Sequence, residues 1–411
     1  MHHLISGEGR DRGRNAPADS APPAHVPLWM LALFTFSGTL AMHIFVPALA
    51  MAGSDLRAGS GAMQLTVSLY IIGLAVGQLI YGPLSDRYGR RRVLMAGLAL
   101  YTVAGLAATL APQVYALIAA RLFQALGGCA GVVLGRAMVR DTAAPAEAAK
   151  RLALLNLMVT VAPGVAPIVG GALAATLGWR AVLFVMCLLG VANLLFAWRL
   201  LPETGAALAR VSAAALARHY RQLLGSRRFL GYAIGGGCAT TSMFAFVASA
   251  PFIFVNELHR PPDELGFYLA VLVSGVWLGS AITTRLIGRL PLARLLVMGS
   301  MLSAGAALVF LALVLAGHAT ALPIIVLMFL YTLGTGVAGP TALTLAINVN
   351  PAVIGSASGL YGGVQMGVGA LCTALAGLGM SPAFSTALVL ACAGVLGQMC
   401  FWMAGRAPDI R

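Results

Sequence analysis

The feature that most constrains this fold is a run of 111 residues, 295–405, that contains no Asp, Glu, Lys or Arg. Shorter stretches without these residues precede it. They cover 27–54, 58–85, 93–120, 122–135, 152–179, 181–198, 229–256 and 265–284. A segment of about 20 apolar residues spans a bilayer as a helix, because hydrocarbon offers the backbone no hydrogen-bond partners. The sequence therefore predicts an all-α membrane protein.

The long uncharged run must hold several helices, since one span needs only about 20 residues. It is interrupted at 317–320, 348–351 and 379–382, where Gly, Asn and Pro residues are of the types that end helices. Four spans result, and the chain is predicted to have twelve transmembrane helices. The composition excludes a soluble domain, because 60% of the residues are hydrophobic and 9% are charged, against about 25% charged in soluble proteins.

The distribution of basic residues predicts the orientation in the membrane, since cytoplasmic loops retain Lys and Arg. If the N-terminus is inside, the outer loops hold only Arg57, Arg180 and Arg260 of the 26 Lys and Arg residues, and most of the others lie in cytoplasmic segments. Both termini are therefore predicted to be cytoplasmic. The net charge of +14 follows from this topology, so no nucleic-acid partner is expected.

The longest polar connection divides the chain into two halves of six helices each. The predicted parts are a disordered cytoplasmic tail 1–26, an N-terminal half 27–201, a cytoplasmic linker 202–228, a C-terminal half 229–405 and a short tail 406–411. Secondary transporters built from two such repeats bind their substrate near the bilayer midplane, between the repeats. The organisation therefore favours transport.

The loop after the second span has a specific sequence, Gly82-Pro83-Leu84-Ser85-Asp86-Arg87-Tyr88-Gly89-Arg90-Arg91-Arg92. It resembles the signature G-x-L-a-D-r-x-G-r-r that the major facilitator superfamily carries between its second and third helices. The glycines permit a tight turn, Asp86 can accept hydrogen bonds from a neighbouring helix N-terminus, and the arginines can bind acidic headgroups. A loop that only keeps positive charge inside explains neither Asp86 nor the glycine spacing. The resemblance implies a cytoplasmic gate formed by Gly82, Asp86, Arg87, Gly89, Arg90 and Arg91.

Two further matches follow in order along the chain. Residues 121–127 resemble the fourth-helix pattern R-x-x-Q-x-x-G, and residues 166–171 resemble the fifth-helix antiporter pattern G-P-x-x-G-G, with Ala166 in place of the first glycine. Prolines one turn apart can kink a helix, which predicts a hinge. The hinge residues are Pro163, Pro167, Gly170 and Gly171. Ordinary kinking without a role in antiport is the alternative.

A narrower resemblance is to the bicyclomycin/chloramphenicol resistance subgroup of drug:proton antiporters, Bcr/CflA. It is carried by Gln78-Leu79-Ile80-Tyr81, Val139-Arg140-Asp141, Gly178-Trp179-Arg180, Leu201-Pro202-Glu203-Thr204 and Ser249-Ala250-Pro251-Phe252. It covers about residues 30–400. It implies export of small, varied compounds from a bacterial inner membrane, driven by proton entry.

Ionisable residues inside spans are functional candidates, because burying them is costly. No Asp or Glu lies in the interior of a predicted span, and the candidates are His43 and Arg121, at similar depths in spans one and four. The subgroup has a carboxylate four residues before a proline in span one, and here His43 precedes Pro47 in that place. We predict that His43 carries the coupling proton and that it faces Arg121 or shares a substrate with it. Alternatively, His43 is neutral and bonded to a carbonyl, and Arg121 binds backbone carbonyls; the two roles of Arg121 can coexist.

The substrate is expected to be neutral or anionic, because no buried carboxylate would attract a cation. The predicted binding residues are polar or aromatic residues on the spans that line the path in this family: His43, Phe45, Arg121, Gln124, Thr241, Phe244, Phe246, Tyr331, Tyr361 and Gln365. Packing between helices is the alternative role for each of them.

The six cysteines lie in apolar stretches without metal-ligand spacing, so no metal, disulfide or cofactor is predicted. The expected partners are a small-molecule substrate, protons and the lipid bilayer, and the protein is expected to be a monomer. A polytopic membrane enzyme is disfavoured because no Ser/His pair or metal cluster is present at a useful spacing. Import or uniport of a small metabolite and a non-transporting sensor stay open as alternatives.

Overall fold

The computed structural model describes residues 26–143, 145–204, 213–262, 264–350, 354–379 and 381–406, in which the regular elements are helices joined by short connections, apart from an isolated bridge between Ile287 and Leu290. The helices are α1 Leu28–His43, α2 Leu49–Asp55, α3 Ser60–Tyr88, α4 Arg90–Thr109, α5 Val114–Thr142, α6 Pro145–Leu177, α7 Trp179–Leu200, α8 Ala213–Leu224, α9 Arg227–Thr240, α10 Met243–Pro251, α11 Glu264–Leu286, α12 Leu292–Leu315, α13 Ala321–Ile347, α14 Ile354–Ala376 and α15 Pro382–Arg406. The prediction of an all-α chain is confirmed. The tails before residue 26 and after residue 406, and residues 205–212 of the linker, lie outside the described residues.

Eleven helical segments of the described chain are long and apolar enough to cross a membrane. Two of these segments contain breaks: Leu28–Asp55 joins α1 to α2, and Arg227–Glu257 joins α9 and α10 to a π-helix, Phe252–Glu257. The sequence predicts twelve spans. The twelfth lies in α6, where the described apolar segment, Val161–Leu177, is shorter than the other eleven. The charged residues of α6 are confined to its first two turns, and residues 152–177 contain no Asp, Glu, Lys or Arg.

The helices form two groups that follow the order of the chain. Helices α1 to α7 pack mainly on one another, and α9 to α15 do the same. The groups meet where α3 packs on α14, where α6 packs on α11 and where the segment after α1 contacts α10. Large apolar side chains such as Val103, Leu188 and Met399 are exposed on the perimeter. An apolar perimeter of this kind suits contact with lipid.

Candidate functional site

The helix of the first span breaks directly after His43. Pro47, four residues later, has no N–H to donate to the His43 carbonyl, and its ring would clash with that carbonyl in a continuous helix. A 3-10 turn, Val46–Ala48, follows, and the helix resumes at Leu49. The break exposes backbone groups inside the span, and these must find partners on other helices.

The seventh span breaks at a corresponding depth. It is interrupted after the 14 residues of α9, whereas the first span is interrupted after the 16 residues of α1. The hydroxyls of Thr240, Thr241 and Ser242 donate to carbonyls four residues earlier at 2.5, 3.0 and 2.5 Å. Such bonds compete with the backbone ladder and bend helices. Each half therefore begins with a discontinuous helix, the type of element that forms substrate sites in secondary transporters.

The two breaks meet at the boundary between the halves. The ring of His43 lies 5.9 Å from the ring of Phe244, centroid to centroid, with the planes inclined at 55°. His43 is buried, and its imidazole makes no hydrogen bond to any residue that the structure describes. Phe244 is backed by Gly369 of α14, where a β-carbon would lie 3.1 Å from its ring. The sequence-predicted residues His43 and Phe244 are thus in contact across the two halves.

A small cavity opens beside this contact. Its lining includes His43, Pro163, Pro167, Met243, Leu272 and Thr332, so it lies between α1 and α6 on one side and α10, α11 and α13 on the other. His43 and Thr332 are its polar side chains. The volume is about 20 Å³, which is room for about one water. The structure is therefore closed around this point, and a drug-sized ligand, which needs about 300 Å³ or more, requires the halves to separate.

Arg121 on α5 is completely buried behind this cavity. One guanidinium nitrogen donates to the carbonyl of Ala41 at 2.8 Å, and the other donates to Oε1 of Gln124 at 2.7 Å. The guanidinium carbon lies 4.2 Å from the ring centroid of Tyr70 and 5.5 Å from that of Phe45. No carboxylate among the described residues contacts this cation, which is held by oxygen dipoles and aromatic faces. The hydrogen bond from Arg121 to the carbonyl of Ala41 is the kind that the alternative interpretation predicts. No hydrogen bond joins Arg121 to His43.

Two tyrosines hold the same helix from other sides. The Tyr70 hydroxyl on α3 donates to the carbonyl of Gly38 at 2.9 Å, and the Tyr101 hydroxyl on α4 donates to that of Ser37 at 3.3 Å. Together with Arg121, they fix the end of α1 that carries His43. Sequence reasoning missed both tyrosines. The available indication was that a buried hydroxyl within an apolar span needs a partner.

The predicted polar residues of the second half bind the break in the seventh span rather than the cavity. Thr241 donates to the backbone carbonyl of Gln365 at 2.6 Å, and the Gln365 side-chain amide donates to Thr240 at 2.7 Å. The hydroxyls of Tyr331 and Ser242 are 2.6 Å apart. These bonds connect the break to α13 and α14.

Two of the predicted aromatic residues lie away from the cavity. Phe246 packs edge-on against Phe254 and Phe310, at 6.3 and 6.0 Å between centroids, inside the second half. Tyr361 lies in a separate core cluster with Phe229. The helices that carry Phe246 and Tyr361 have no polar stripe, so the sequence alone does not distinguish the face that lines the cavity from the others.

The gate signature forms a network of charges where α3 meets α4. Arg90 contacts Asp86 at 2.5 Å, and its Nε donates to Asp141 at the end of α5 at 2.9 Å. Glu203 accepts the backbone N–H of Arg90 at 2.8 Å, at the N-terminus of α4, where a carboxylate is favoured by the helix dipole. The helix N-terminus nearest the signature is therefore bonded by Glu203 and not by Asp86. Gly89 has φ +93°, a conformation that only glycine adopts readily, so the turn needs it.

The remaining signature residues are more peripheral. Arg91 donates to the carbonyl of Trp198 at 2.8 Å, and the guanidinium of Arg87 lies 5.1 Å from the ring of Tyr88. A β-carbon on Gly82 would meet open space. Arg91 thus connects the turn to α7, whereas Arg87 contacts its neighbour Tyr88 and Gly82 faces open space. None of the three lines the cavity.

The predicted hinge lies in α6, which continues as a helix through Pro163 and Pro167. Both prolines line the cavity. A β-carbon on Gly170 would collide with the carbonyl of Ile44, next to His43, whereas one on Gly171 would have a single ordinary contact at 3.8 Å. Gly170 therefore permits α6 to pack directly on the break in the first span. Metal chemistry has no support here: among the described residues no three His, Cys, Asp or Glu side chains could hold a metal ion.

Comparisons with known proteins agree with this architecture. A family model described as Major Facilitator Superfamily matches residues 31–373. The chain is 29% identical over 382 residues to Multidrug resistance protein D of Escherichia coli, covering 91% of this chain and 94% of that protein. It is 26% identical over 336 residues to a bicyclomycin resistance protein homolog of Haemophilus influenzae, with 80% and 83% covered. A solved bacterial homolog of the human lysosomal transporter Spinster has a TM-score of 0.74 at 14% identity, covering 93% of this chain and 96% of that one, which shows the fold alone.

Proposed function

Because this chain belongs to the major facilitator superfamily of membrane transporters, we propose that it exports small drug-like compounds across a bacterial inner membrane in exchange for protons. Two of its relatives are named as resistance proteins, which supports this substrate class. The resemblance to the Bcr/CflA subgroup supports proton antiport as the source of energy.

The proposal includes a topology of twelve spans with both termini in the cytoplasm. Helix α6 has 33 residues, about 50 Å at 1.5 Å per residue, which is enough to cross a bilayer despite its charged first turns. The scarcity of basic residues in the outer loops supports the orientation. In this topology α8 belongs to a cytoplasmic linker between two six-helix halves, and the protein acts as a monomer.

One observation carries the proposed mechanism: His43 lies at a helix break and lines the cavity between the halves. Histidine is the side chain that changes charge near neutral pH, so it can exchange a proton within the range a cell provides. No other lining residue of this cavity carries a charge. A substrate that enters here meets the proton-binding group directly, which is the condition for exchanging one for the other.

The surroundings of His43 favour neutral substrates. Prolines, Met243, Leu272 and other apolar side chains line the cavity, and these match lipophilic compounds of varied shape. Arg121, which is bonded to the carbonyl of Ala41 two residues before His43, places a buried cation on this side of the site, and no described carboxylate contacts it. Because the site has a buried cation and no described carboxylate beside it, anionic substrates are tolerated and cationic dyes are disfavoured.

The proposal is tested in an efflux-deficient bacterium that expresses this chain. We expect resistance to neutral lipophilic compounds, less to anionic ones and none to cationic ones, with efflux that stops when a protonophore collapses the gradient. The Phe246→Leu protein is a matched control, because Phe246 packs inside the second half. Efflux that continues without a proton gradient would favour a uniporter, and absence of protection against the whole panel would contradict drug export.

A further inference from the structure

The contact between His43 and Phe244 joins the two halves at their helix breaks. We propose that the ring of Phe244 binds protonated His43 more strongly than neutral His43, so that Phe244 stabilises the proton on His43 while the halves are closed around it. The inference rests on the proposed role of His43 as the proton-binding group. It adds a residue of the second half that makes the closure of the transporter depend on the proton.

The geometry fits a cation–π contact. The two ring centroids are 5.9 Å apart, within the range of about 6 Å over which a cation is attracted to an aromatic face. The face of a phenyl ring is negative, so an imidazolium is attracted to it, whereas a neutral imidazole has only packing contacts. The strength of this contact between α1 and α10 therefore changes when His43 gains or loses its proton.

Few other charges are near enough to take over this role. On α5 the nearest cation is Arg121, which is bonded to Ala41 and Gln124. The hydroxyls of Tyr70 on α3 and Tyr101 on α4 are bonded to carbonyls of α1. The cavity-lining residues of α6, α10, α11 and α13 are uncharged. Among the described residues no carboxylate contacts His43, so its charge is stabilised by the C-terminal end of α1, where it is the last residue, and by the face of Phe244.

The position of Phe244 makes it sensitive to separation of the halves. It is the second residue of α10, directly after the break in the seventh span, and it is confined by Gly369 on its other side. A cation–π attraction weakens as the rings move apart. Opening of the cavity therefore removes this attraction, so Phe244 favours the proton on His43 in the closed state over the open one.

The test measures opening directly and needs no identified substrate. In a protein whose native cysteines are replaced, Leu272→Cys in the cavity wall is labelled with a small maleimide over a range of pH, and each rate is divided by that of the same protein labelled after unfolding, which removes the pH dependence of the thiol itself. Phe244 is replaced by phenylalanine with one, two or three ring fluorines, which remove negative charge from the face with little change of shape. We expect the midpoint of the pH dependence to fall stepwise with fluorination by about one pH unit overall, or about tenfold in proton binding.

The same substitutions at Phe246, two residues along α10, are the matched control, and they should leave the midpoint unchanged because that ring packs against Phe254 and Phe310. A midpoint that does not move with fluorination of Phe244 overturns the inference. The His43→Gln variant separates the two proposals. If its labelling keeps the wild-type pH profile, His43 is not the proton-binding group; if its pH dependence disappears while fluorination has no effect, only the role of Phe244 fails.

Discussion

Replacing Gly170 by alanine should disable transport, whereas the same change at the adjacent Gly171 should not. The β-carbon added at Gly170 would collide with the carbonyl oxygen of Ile44 and lie 2.8 Å from its carbonyl carbon, where ordinary contacts begin at 3.4 Å. The neighbour is backbone and cannot rotate away. Helix α6 must therefore move by about 1 Å or more from α1, at the residue that follows His43, to relieve the clash with the carbonyl oxygen.

The energetic cost follows from the packing. Overpacking of a well-packed site costs about 1–3 kcal/mol. The helix propensity of alanine over glycine returns about 1 kcal/mol, and at Gly171 this gain stands alone because its only contact, with Pro47, is ordinary at 3.8 Å. We therefore expect the Gly171→Ala protein to be the more stable of the two by about 1–3 kcal/mol, which is a difference of a few degrees in melting temperature.

The assay compares thermal unfolding of both variants in detergent with their efflux rates in cells at equal expression. A displacement of about 1 Å at a reacting centre can cost about 100-fold in rate, so we expect Gly170→Ala to lose at least about tenfold in efflux. Gly171→Ala should remain near the wild type in both measurements. Equal melting temperatures and equal efflux rates for the two variants would refute the close packing of α6 on the break in the first span.

Two further predictions concern the gate and the topology. Asp86→Ala should reduce efflux severely and leave membrane insertion intact, since Arg90 keeps its second partner, Asp141, and the spanning helices are unchanged; wild-type efflux from a well-expressed variant would contradict a gating role. In a protein whose native cysteines are replaced, Gln222→Cys on α8 should be labelled only from the cytoplasm and Arg260→Cys only from outside, and the reverse pattern would reject the proposed orientation.

The general architecture was accessible from the sequence because a bilayer imposes it. Charge-free runs give the spans, and the signature around Asp86 gives the family. Pro47 is the sequence feature that explains the broken first span, since a proline removes the hydrogen bond to the residue four before it. Position 43 was singled out because an ionisable residue lies there within a span, where the resembled subgroup has a carboxylate, and the structure places it in the cavity.

The orientation of individual side chains was less accessible. In a soluble helix, an apolar stripe marks the buried face, but lipid and protein interior are equally apolar, so a span such as α10 has no stripe. Phe244 and Phe246 therefore looked equivalent, although the structure separates them. The cap on α4 by Glu203 was missed for another reason: residues more than 100 positions apart pair at the same membrane surface, and a single sequence gives no measure of that proximity.

The central claim is that His43 exchanges the coupling proton, and transport by purified protein in liposomes tests it most directly. With an imposed gradient, acidic inside, the wild type should accumulate a substrate found in the susceptibility panel. His43→Gln should bind that substrate but lose the gradient-driven accumulation, because the glutamine side chain is polar but cannot take up or release a proton. His43→Asp, which restores a titratable group at the place where the subgroup has a carboxylate, should retain part of it. Accumulation by His43→Gln at the wild-type level would contradict the account and leave His43 a packing residue of the break.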